Sequence, residues 1–319
     1  MGEVATGVEE LVAGVLAGDR RAVARAISLV EDGRPELEAL SAGIYPSTGR
    51  AMTVGITGAP GVGKSTLAAA LVGAARAHEL RVAVLAIDPT SPYTGGALLG
   101  DRVRMQEHAT DPGVFIRSMA TRGHLGGMAL AAPEGVRILD AAGYELVMVE
   151  TVGVGQAEVD VAAATDTTLV VLAPGLGDAV QMAKAGILEV ADVFVVNKAD
   201  RDGAGEVARE LRQMLHLGAP RPSHEPDPPV LTVAASRGEG VDDVWAAIGD
   251  HGDRTAASGA RDAKRRARLL AEVESLAAER FRVAAAAALE ADDDLATDLA
   301  ERRVDPYGAA AALARRASL

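Results

Sequence analysis

Cysteine is absent from this chain of 319 residues, and aromatic side chains make up only 3% of it. Without cysteine there is no disulfide, no thiol nucleophile, no iron–sulfur cluster and no cysteine-based zinc site. Because aromatic residues are scarce, the core must be built from alanine, valine, leucine and isoleucine, and the hydrophobic content of 49% supplies enough of them. The length and composition predict one large domain, or one domain with appendages.

Positive charge is also in short supply. The chain carries 32 basic and 45 acidic side chains, which gives a formal net charge of −13. This excess of negative charge disfavours non-specific binding to nucleic acid or to anionic lipid. Only four of the basic residues are lysines, namely Lys64, Lys184, Lys198 and Lys264. Since the chain otherwise uses arginine, each lysine position calls for a specific reason.

Long apolar runs are missing as well. No stretch approaches the roughly 18 uninterrupted apolar residues of a membrane-spanning helix. The amino-terminal segment has no basic region, and Glu3, Glu9 and Glu10 interrupt it, so it does not resemble a secretory signal. We therefore predict a cytoplasmic protein that engages neither membrane nor nucleic acid.

The middle of the chain alternates between short apolar runs and helical patterns. The apolar runs, each a predicted strand, cover residues 52–57, 82–87, 145–149, 168–172, 193–196 and 230–234. Helices are predicted near residues 64–78, 127–142, 179–190, 204–217 and 241–249. Near-continuous apolar strands are typical of a parallel sheet with helices on both faces. The pattern predicts an α/β fold with a mostly parallel central sheet.

Both ends of the chain look helical and lack strand signals. Residues 9–45 have apolar positions at helical spacing, and residues 251–259 (HGDRTAASG) suggest a linker. The remainder predicts two or three helices, with breaks at Asp292–Asp294 and near Pro306. The predicted domains are an amino-terminal helical extension (1–48), a nucleotide-binding domain (49–252) and a carboxy-terminal helical arm (253–319).

A phosphate-binding loop follows the first predicted strand. Its nine residues are Gly58, Ala59, Pro60, Gly61, Val62, Gly63, Lys64, Ser65 and Thr66, the G-x-x-x-x-G-K-[ST] pattern between a strand and a helix. The glycines let backbone N–H groups turn toward phosphate oxygens, and the helix amino terminus adds its positive end. Lys64 is predicted to reach the β- and γ-phosphates, and the Ser65 hydroxyl to bind Mg²⁺.

A base-reading motif follows the strand at 193–196. The Asp200 carboxylate can accept hydrogen bonds from N1–H and the exocyclic amine of guanine, whereas adenine would leave a buried carboxylate unpaired. Asn197 would brace the loops, and the stem of Lys198 would cover the base. A third element of this pocket is predicted after the last strand, at Ala234, Ala235 and Ser236. The backbone of that loop is expected to contact the guanine oxygen, unless its small residues only end the strand.

Several residues at strand ends suit a metal and a mobile switch loop. Glu150 ends the strand at 145–149 and is the candidate metal-side carboxylate, while Gly153 would let the backbone contact the γ-phosphate. Asp88 and Asp101 could hold metal-bound waters or could instead cap a helix or a turn. Gln156 would either orient the attacking water or position the loop. His124, in the Gly-rich stretch TRGHLGG, has no partner at metal-ligand spacing.

Together, GAPGVGKST, DPTSPYTGGALLGDRVRM, TRGHLGG, ETVGVGQAEVD, QMAKAGILEVAD and NKAD resemble the methylmalonyl-CoA mutase-associated GTPases, the MeaB/ArgK group of P-loop proteins. The resemblance implies a G-protein chaperone whose GTP hydrolysis gates cofactor loading into an adenosylcobalamin-dependent mutase and protects that enzyme. It also implies GTP or GDP with Mg²⁺ as ligands, and a homodimer formed through the carboxy-terminal helices. By motif position, Asp88, Asp101 and Glu150 serve the Mg²⁺, and Ala234 stands where the family usually has serine.

Two other functions are compatible with a nucleotide site. One is a kinase or ATPase serving arginine or ornithine transport, which the guanine-reading Asp200 disfavours. The other is a metallochaperone GTPase for nickel or cobalt, which would want a Cys/His cluster that this chain lacks. Intrinsic hydrolysis is expected to be slow, because no arginine can be assigned to the transition state. Lys184 lies in a family-like stretch and suggests a switch or partner contact, while Lys264 has no assigned task.

Overall fold

The computed structural model describes residues 2–89, 108, 110–121, 127–151, 157–175, 190–217 and 226–316. The chain divides into two compact units, Met1–Arg265 and Arg266–Leu319. The first unit contains the sheet, and the second consists of helices. None of the described helices combines the length and the apolar composition that crossing a membrane requires.

A seven-stranded sheet forms the centre of the first unit. Its strands are β1 (Met52–Thr57), β2 (Val82–Pro89), β3 (Val114–Thr121), β4 (Leu146–Thr151), β5 (Thr167–Leu172), β6 (Val193–Asn197) and β7 (Val230–Val233). They lie in the order β3-β2-β4-β1-β5-β6-β7, and all neighbouring pairs are parallel. Every residue of β4, β5 and β6 is buried. The predicted α/β fold with a parallel sheet is confirmed.

Helices cover both faces of this sheet. Those of the first unit are α1 (Gly2–Leu16), α2 (Arg20–Asp32), α3 (Glu36–Ile44), α4 (Lys64–Ala77), α5 (Gly127–Ala141), α6 (Ala157–Ala164), α7 (Ala204–Leu217) and α8 (Val241–Ala257). Successive residues of a strand point to opposite faces. Accordingly, Leu85 and Ile87 of β2 join a core with α1, α2, α3 and α5, whereas Val82 and Val84 join a core with α4 and α8.

Strand β3 was not predicted from the sequence. It forms the edge of the sheet and pairs with β2 over its whole length. Its apolar run is interrupted by Arg117, whose Nη2 donates to Ser28 Oγ at 2.8 Å and to Glu31 Oε2 at 2.6 Å. Helix α2 supplies both acceptors, so a polar side chain lies against a helix at a position where a purely apolar pattern would place a hydrophobic residue.

Helix α8 corrects the predicted linker at 251–259. The helix continues through residue 257, and the break falls at Ser258 and Gly259, where Gly259 has a φ of +74°. The reason is tertiary. His251 is buried, its Nδ1 lies 2.8 Å from Thr167 Oγ1, and its Nε2 lies 3.3 Å from Asp192 Oδ1. Contacts with the start of β5 and with the residue before β6 thus hold a segment whose own composition suggested a linker.

The second unit contains the part of helix α9 (Ala260–Glu290) from Arg266 onward, followed by α10 (Asp293–Ala300) and α11 (Pro306–Arg316). The helices break close to both predicted places, although α10 already includes Asp293 and Asp294, and the Asp292 side chain accepts from Leu295 N at 2.9 Å to cap α10. A small core gathers around Leu295, Ala309 and Leu313. Within α9, apolar side chains at helical spacing remain exposed, namely Leu269, Leu270, Val273, Leu276, Val283 and Leu289.

Candidate nucleotide-binding site

The candidate site lies where parallel strands end at one edge of the sheet. Strand β1 runs into the phosphate loop, its neighbour β4 ends beside Glu150, and β6 and β7 end in the two base-side loops. Ligands of open α/β sheets bind at the carboxyl ends of the strands. The predicted phosphate, metal and base residues therefore share one edge of the sheet.

Two glycines of the phosphate loop are required by close approaches. Gly58 has a φ of +141°, and a side chain there would overlap the Val171 carbonyl oxygen of β5. Gly63 has a φ of +97°, and a side chain there would overlap Asn197 Nδ2. Both positions need the left-handed backbone that glycine adopts without penalty. The loop is thus shaped by its contacts with β5 and with the base-reading motif.

Lys64 begins α4 and is held inside the phosphate loop. Its side chain is buried, and Nζ donates to Gly58 O at 2.6 Å and to Ala59 O at 3.1 Å. These carbonyls point the ammonium across the loop that is expected to hold phosphate. A compact ammonium satisfies such closely spaced oxygens more readily than a planar guanidinium does. This geometry explains why lysine rather than arginine stands here.

Ser65 and Glu150 form the candidate metal-binding pair. Ser65 Oγ donates to Glu150 Oε1 at 2.6 Å, and both side chains are buried. A hydroxyl and a carboxylate are hard oxygen ligands of the kind that Mg²⁺ accepts alongside phosphate and water. Within the described residues no group of three or more His, Asp or Glu side chains forms a metal cage. The pair therefore fits a magnesium ion that takes its remaining ligands from a nucleotide and from water.

Asn197 links the phosphate loop to both base-side loops. Its Nδ2 donates to Val62 O at 2.9 Å and to Gly63 O at 3.4 Å, while its Oδ1 accepts from Ala235 N at 3.1 Å. The side chain is buried, so these bonds are shielded from water. The predicted bracing geometry is present. The Asn197 side chain thereby also binds the Ala235 amide, a backbone group of the loop that was predicted to contact the guanine oxygen.

Lys198 adopts a backbone conformation that is rare for a residue with a side chain. Its φ is +58°, and its Nζ donates to Gly61 O at 2.6 Å. Desolvation by burial and the positive charge of Arg201 lower the pKa of the Lys198 ammonium, and Asp200 opposes them. The side chain therefore spans from the base-side loop to the phosphate loop, and the backbone strain lies in the base-reading motif itself.

Asp200 follows on the same loop and pairs with Arg237. An Nη2 atom of Arg237 lies 3.4 Å from Asp200 Oδ2, and the side chains are 58% and 23% exposed, respectively. Arg237 ends a short turn that begins at Ala235, one residue beyond the predicted Ser236. Sequence reasoning missed Arg237 because no motif marks it. The adjacency of β6 and β7 is the signal that could have found it.

Other predicted residues are only partly placed. Asp88 lies at the end of β2, where its backbone pairs with Ala120, at the same edge as Glu150. Its side chain is outside the described part of the structure. Asp101, Gly153 and Gln156 lie outside the described residues, as do His124 and Lys184.

Comparison with known proteins decides the family. The family model described as "Methylmalonyl Co-A mutase-associated GTPase MeaB" matches residues 23–290. The chain belongs to the MeaB family. It is a GTPase of the P-loop class and binds guanine nucleotides. The family implied by the sequence motifs is thereby confirmed.

Individual relatives agree with this family. A provisionally named GTPase of Pyrococcus horikoshii is 48% identical over 304 residues, covering 95% of this chain and 96% of that protein. GTPase ArgK of Escherichia coli K12 is 42% identical over 249 residues, covering 76% and 75%. The mouse protein named methylmalonic aciduria type A homolog, mitochondrial, is 34% identical over 275 residues, covering 81% and 66%.

A solved structure supports the fold over nearly the whole length. The crystal structure of a protein named LAO/AO transport system kinase superposes with a TM-score of 0.71 at 27% identity, covering 98% of each chain. The fold of the described residues is therefore similar to that of an experimentally determined protein.

Proposed function

We propose that this MeaB-family GTPase is a chaperone for an adenosylcobalamin-dependent acyl-CoA mutase, methylmalonyl-CoA mutase being the first candidate. In this function, GTP binding and hydrolysis gate the loading of the cofactor into the mutase and protect that enzyme from inactivation. The observation that carries the proposal is the family match over residues 23–290, whose model is named for association with this mutase. The name of the mouse relative, which refers to methylmalonic aciduria, points the same way.

The proposed hydrolysis uses the residues gathered at the strand ends. Lys64 and the amides of the phosphate loop would hold the β- and γ-phosphates and stabilise the charge that develops on them. Ser65 and Glu150, which already share a hydrogen bond, would hold Mg²⁺. When bound, the ion would neutralise negative charge on the phosphates. Water would attack the γ-phosphate in line with the leaving oxygen.

Base selection is assigned to the loop after β6. The Asp200 carboxylate would accept from both donors on the Watson–Crick edge of guanine, with the stem of Lys198 beside the base. Asn197 would transmit the position of the phosphate loop to this pocket through Val62 O and Ala235 N. Ala234, Ala235 and Ser236 would close the base pocket.

The remaining predicted residues keep their proposed roles. Asp88 and Asp101 would hold magnesium-bound waters, Gly153 would contact the γ-phosphate through its backbone, and Gln156 would orient the attacking water. A cytoplasmic location is part of the same proposal. The role of each of these four residues can be tested by a single substitution, with GTP hydrolysis and GTP affinity measured separately.

A homodimer through the carboxy-terminal helices is also proposed. In α9, Leu269, Val273, Leu276 and Val283 are exposed and follow a heptad-like spacing. Such a stripe suits packing against a second copy of the same helix. Light scattering on the purified protein should give twice the chain mass, and Val273→Glu should shift it toward the monomer.

The second candidate function is that of a transport-associated kinase or ATPase, favoured by the name of the protein whose crystal structure superposes on this chain. It requires phosphate transfer to a protein and tolerates adenine. The pairing requirement of Asp200 disfavours adenine. Parallel incubations with γ-labelled GTP and γ-labelled ATP in the presence of candidate acceptors distinguish the two functions, because a kinase labels a protein, an ATPase releases phosphate from ATP, and a GTPase releases phosphate from GTP.

The proposed chaperone role is tested by adding the client. We expect slow GTP hydrolysis by the purified protein alone and a clear increase when methylmalonyl-CoA mutase is added. Lys64→Met, assayed in parallel, should remove the hydrolysis and so show that it belongs to this protein. An equal rate with and without mutase would contradict the gating role for that client.

A further inference from the structure

We propose that Arg237 is a positioning residue for guanine recognition, which holds the Asp200 carboxylate in the correct orientation before the base arrives. The proposal rests on the assignment of Asp200 to guanine made above. It adds a residue that belongs to none of the recognised motifs. Its basis is the ion pair between Arg237 Nη2 and Asp200 Oδ2.

The backbone fixes the two residues relative to each other. Strands β6 and β7 are paired, with Asn197 opposite Val233, so their following loops leave the sheet side by side. The first loop is tied back by Ala199 N, which donates to Val233 O at 3.0 Å. In the second, Arg237 N donates to Ala234 O at 2.8 Å. Arg237 and Asp200 therefore face each other because of the register between β6 and β7.

Lys198, another cation near Asp200, does not take the place of Arg237 beside the carboxylate. Lys198 donates to Gly61 O, and so its ammonium is directed toward the phosphate loop rather than toward Asp200. Arg237 approaches the carboxylate from the neighbouring loop, and its Nη2 lies 3.4 Å from Oδ2. A carboxylate offers about four lone-pair sites. One guanidinium contact therefore leaves room for the two donors of guanine, and Arg237 can stay in place while the base binds.

This pair contributes little to folding stability. Ion pairs this exposed typically add little to stability. Arg237→Ala should therefore fold normally, which thermal unfolding followed by the single tryptophan, Trp245, can verify. The effect of the substitution should appear in base recognition instead.

The test compares GDP with inosine diphosphate (IDP), whose base lacks the exocyclic amine and so can make only one of the two bonds to Asp200. Dissociation constants are measured by calorimetry for wild type, Arg237→Ala, Arg237→Lys and the control Arg209→Ala, which changes an exposed arginine on α7. Wild type should prefer GDP by about tenfold or more. In Arg237→Ala this preference should fall by about two- to fivefold. Arg237→Lys should restore most of it, and Arg209→Ala should leave it unchanged.

The outcomes distinguish a failure of the guanine assignment of Asp200 from a failure of the positioning role of Arg237. If wild type shows no preference for GDP over IDP, the assignment of Asp200 to guanine fails. If wild type shows the preference and Arg237→Ala retains it in full, Asp200 stands and the role of Arg237 is overturned. In an Asp200→Asn background, Arg237→Ala should no longer change the ratio, since the carboxylate on which it acts is gone. A persisting change would also overturn the role.

Discussion

Asn197 and Val62 are separated by 135 residues in the sequence, yet Asn197 Nδ2 donates to the Val62 carbonyl oxygen at 2.9 Å in the interior of the protein. The same amide accepts from Ala235 N. A single side chain thus fixes the phosphate loop against the base-side loops. Both the GTP affinity and the folding stability of the nucleotide-free protein should therefore depend on Asn197.

We expect Asn197→Ala to lower the free energy of unfolding by about 1–3 kcal/mol, because it leaves buried backbone groups without partners. GDP affinity should fall with it. Urea unfolding and calorimetry measure the two effects. Asn197→Asp is the matched control, since it keeps an oxygen for Ala235 N but loses the donor to Val62 O. A loss of affinity in Asn197→Ala with no loss of stability would contradict the bracing role.

The Ser65–Glu150 pair should control the magnesium requirement. Ser65→Ala and Glu150→Gln should each reduce GTP hydrolysis by at least about tenfold and shift the Mg²⁺ dependence to higher concentration. Hydrolysis rates across a Mg²⁺ titration give both values. Glu134→Gln, which alters a buried glutamate on α5 outside the site, should leave the Mg²⁺ midpoint unchanged. A Glu150→Gln variant with a normal midpoint would exclude Glu150 from the metal site.

The strained backbone at Lys198 predicts an unusual ranking of variants. Both Lys198→Gly and Lys198→Ala lose the bond to Gly61 O and should bind GDP more weakly. Glycine accepts a φ of +58° without strain, whereas alanine does not. Lys198→Gly should therefore be the more stable of the two by about 1 kcal/mol in chemical unfolding. Equal stability would show that the left-handed conformation is not retained.

A polar cluster lies where strands β5 and β6 begin, at the opposite ends of the strands from the nucleotide site. It should determine how the stability of the protein changes in acid. Burial alone would raise the pKa of Asp192, but the hydrogen bond from His251 and the charge of Lys264 outweigh it and hold that pKa below its usual value. Lys264 Nζ lies 3.5 Å from Asp192 Oδ2 and donates to Asp166 O at 3.1 Å. This contact supplies a reason for the lysine to which the sequence assigned no task.

The sign of the pH effect follows from the lowered pKa. The unfolded chain takes up a proton at Asp192 near pH 4, before the folded protein does, so the stabilisation is complete above that pH and is lost below it. Asp192→Asn should lower the free energy of unfolding at pH 7 and flatten its decline between about pH 5 and pH 3. Urea unfolding over this range measures it. Parallel curves for the variant and wild type would contradict the role of Asp192.

Arg265 supports the same end of the sheet through a different set of bonds. It binds both oxygens of the buried Asp166, and it donates to Gly49 O at 2.7 Å and to Ala51 O at 2.9 Å. We expect Arg265→Ala to destabilise the protein by about 2–4 kcal/mol, because it removes the guanidinium that binds both oxygens of a buried carboxylate. Adding Asp166→Asn should recover part of that loss. A double variant destabilised by the full sum of the two single changes, or by more, would refute the pairing.

Local sequence patterns predicted the elements whose structure is determined by their own residues. Strands β4 and β5 are buried along their whole length and are recognisable as apolar runs, and the loop around Lys64 has fixed spacing. The loops after β6 and β7 were both predicted as parts of the base pocket, although the pairing of these two strands was not. For these features the sequence periodicity and the tertiary environment agree.

Features that depend on distant partners were not predictable in this way. Arg117 interrupts β3 because Ser28 and Glu31 lie opposite it. Residues 251–257 are helical because His251 reaches Thr167 and Asp192. Arg237 meets Asp200 only because two loops, remote in sequence, leave adjacent strands. In each case the decisive contact joins elements whose pairing a single sequence does not specify.

The nucleotide specificity of Asp200→Asn is the most direct test of the guanine site. Xanthine carries an oxygen where guanine carries its amine, so an asparagine amide can donate to xanthine where the aspartate accepted from guanine. By calorimetry, wild type should bind GDP and not xanthosine diphosphate, and Asp200→Asn should show the reverse preference. If Asp200→Asn retained wild-type affinity for GDP, the guanine base would not be read by Asp200, and the central assignment would be contradicted.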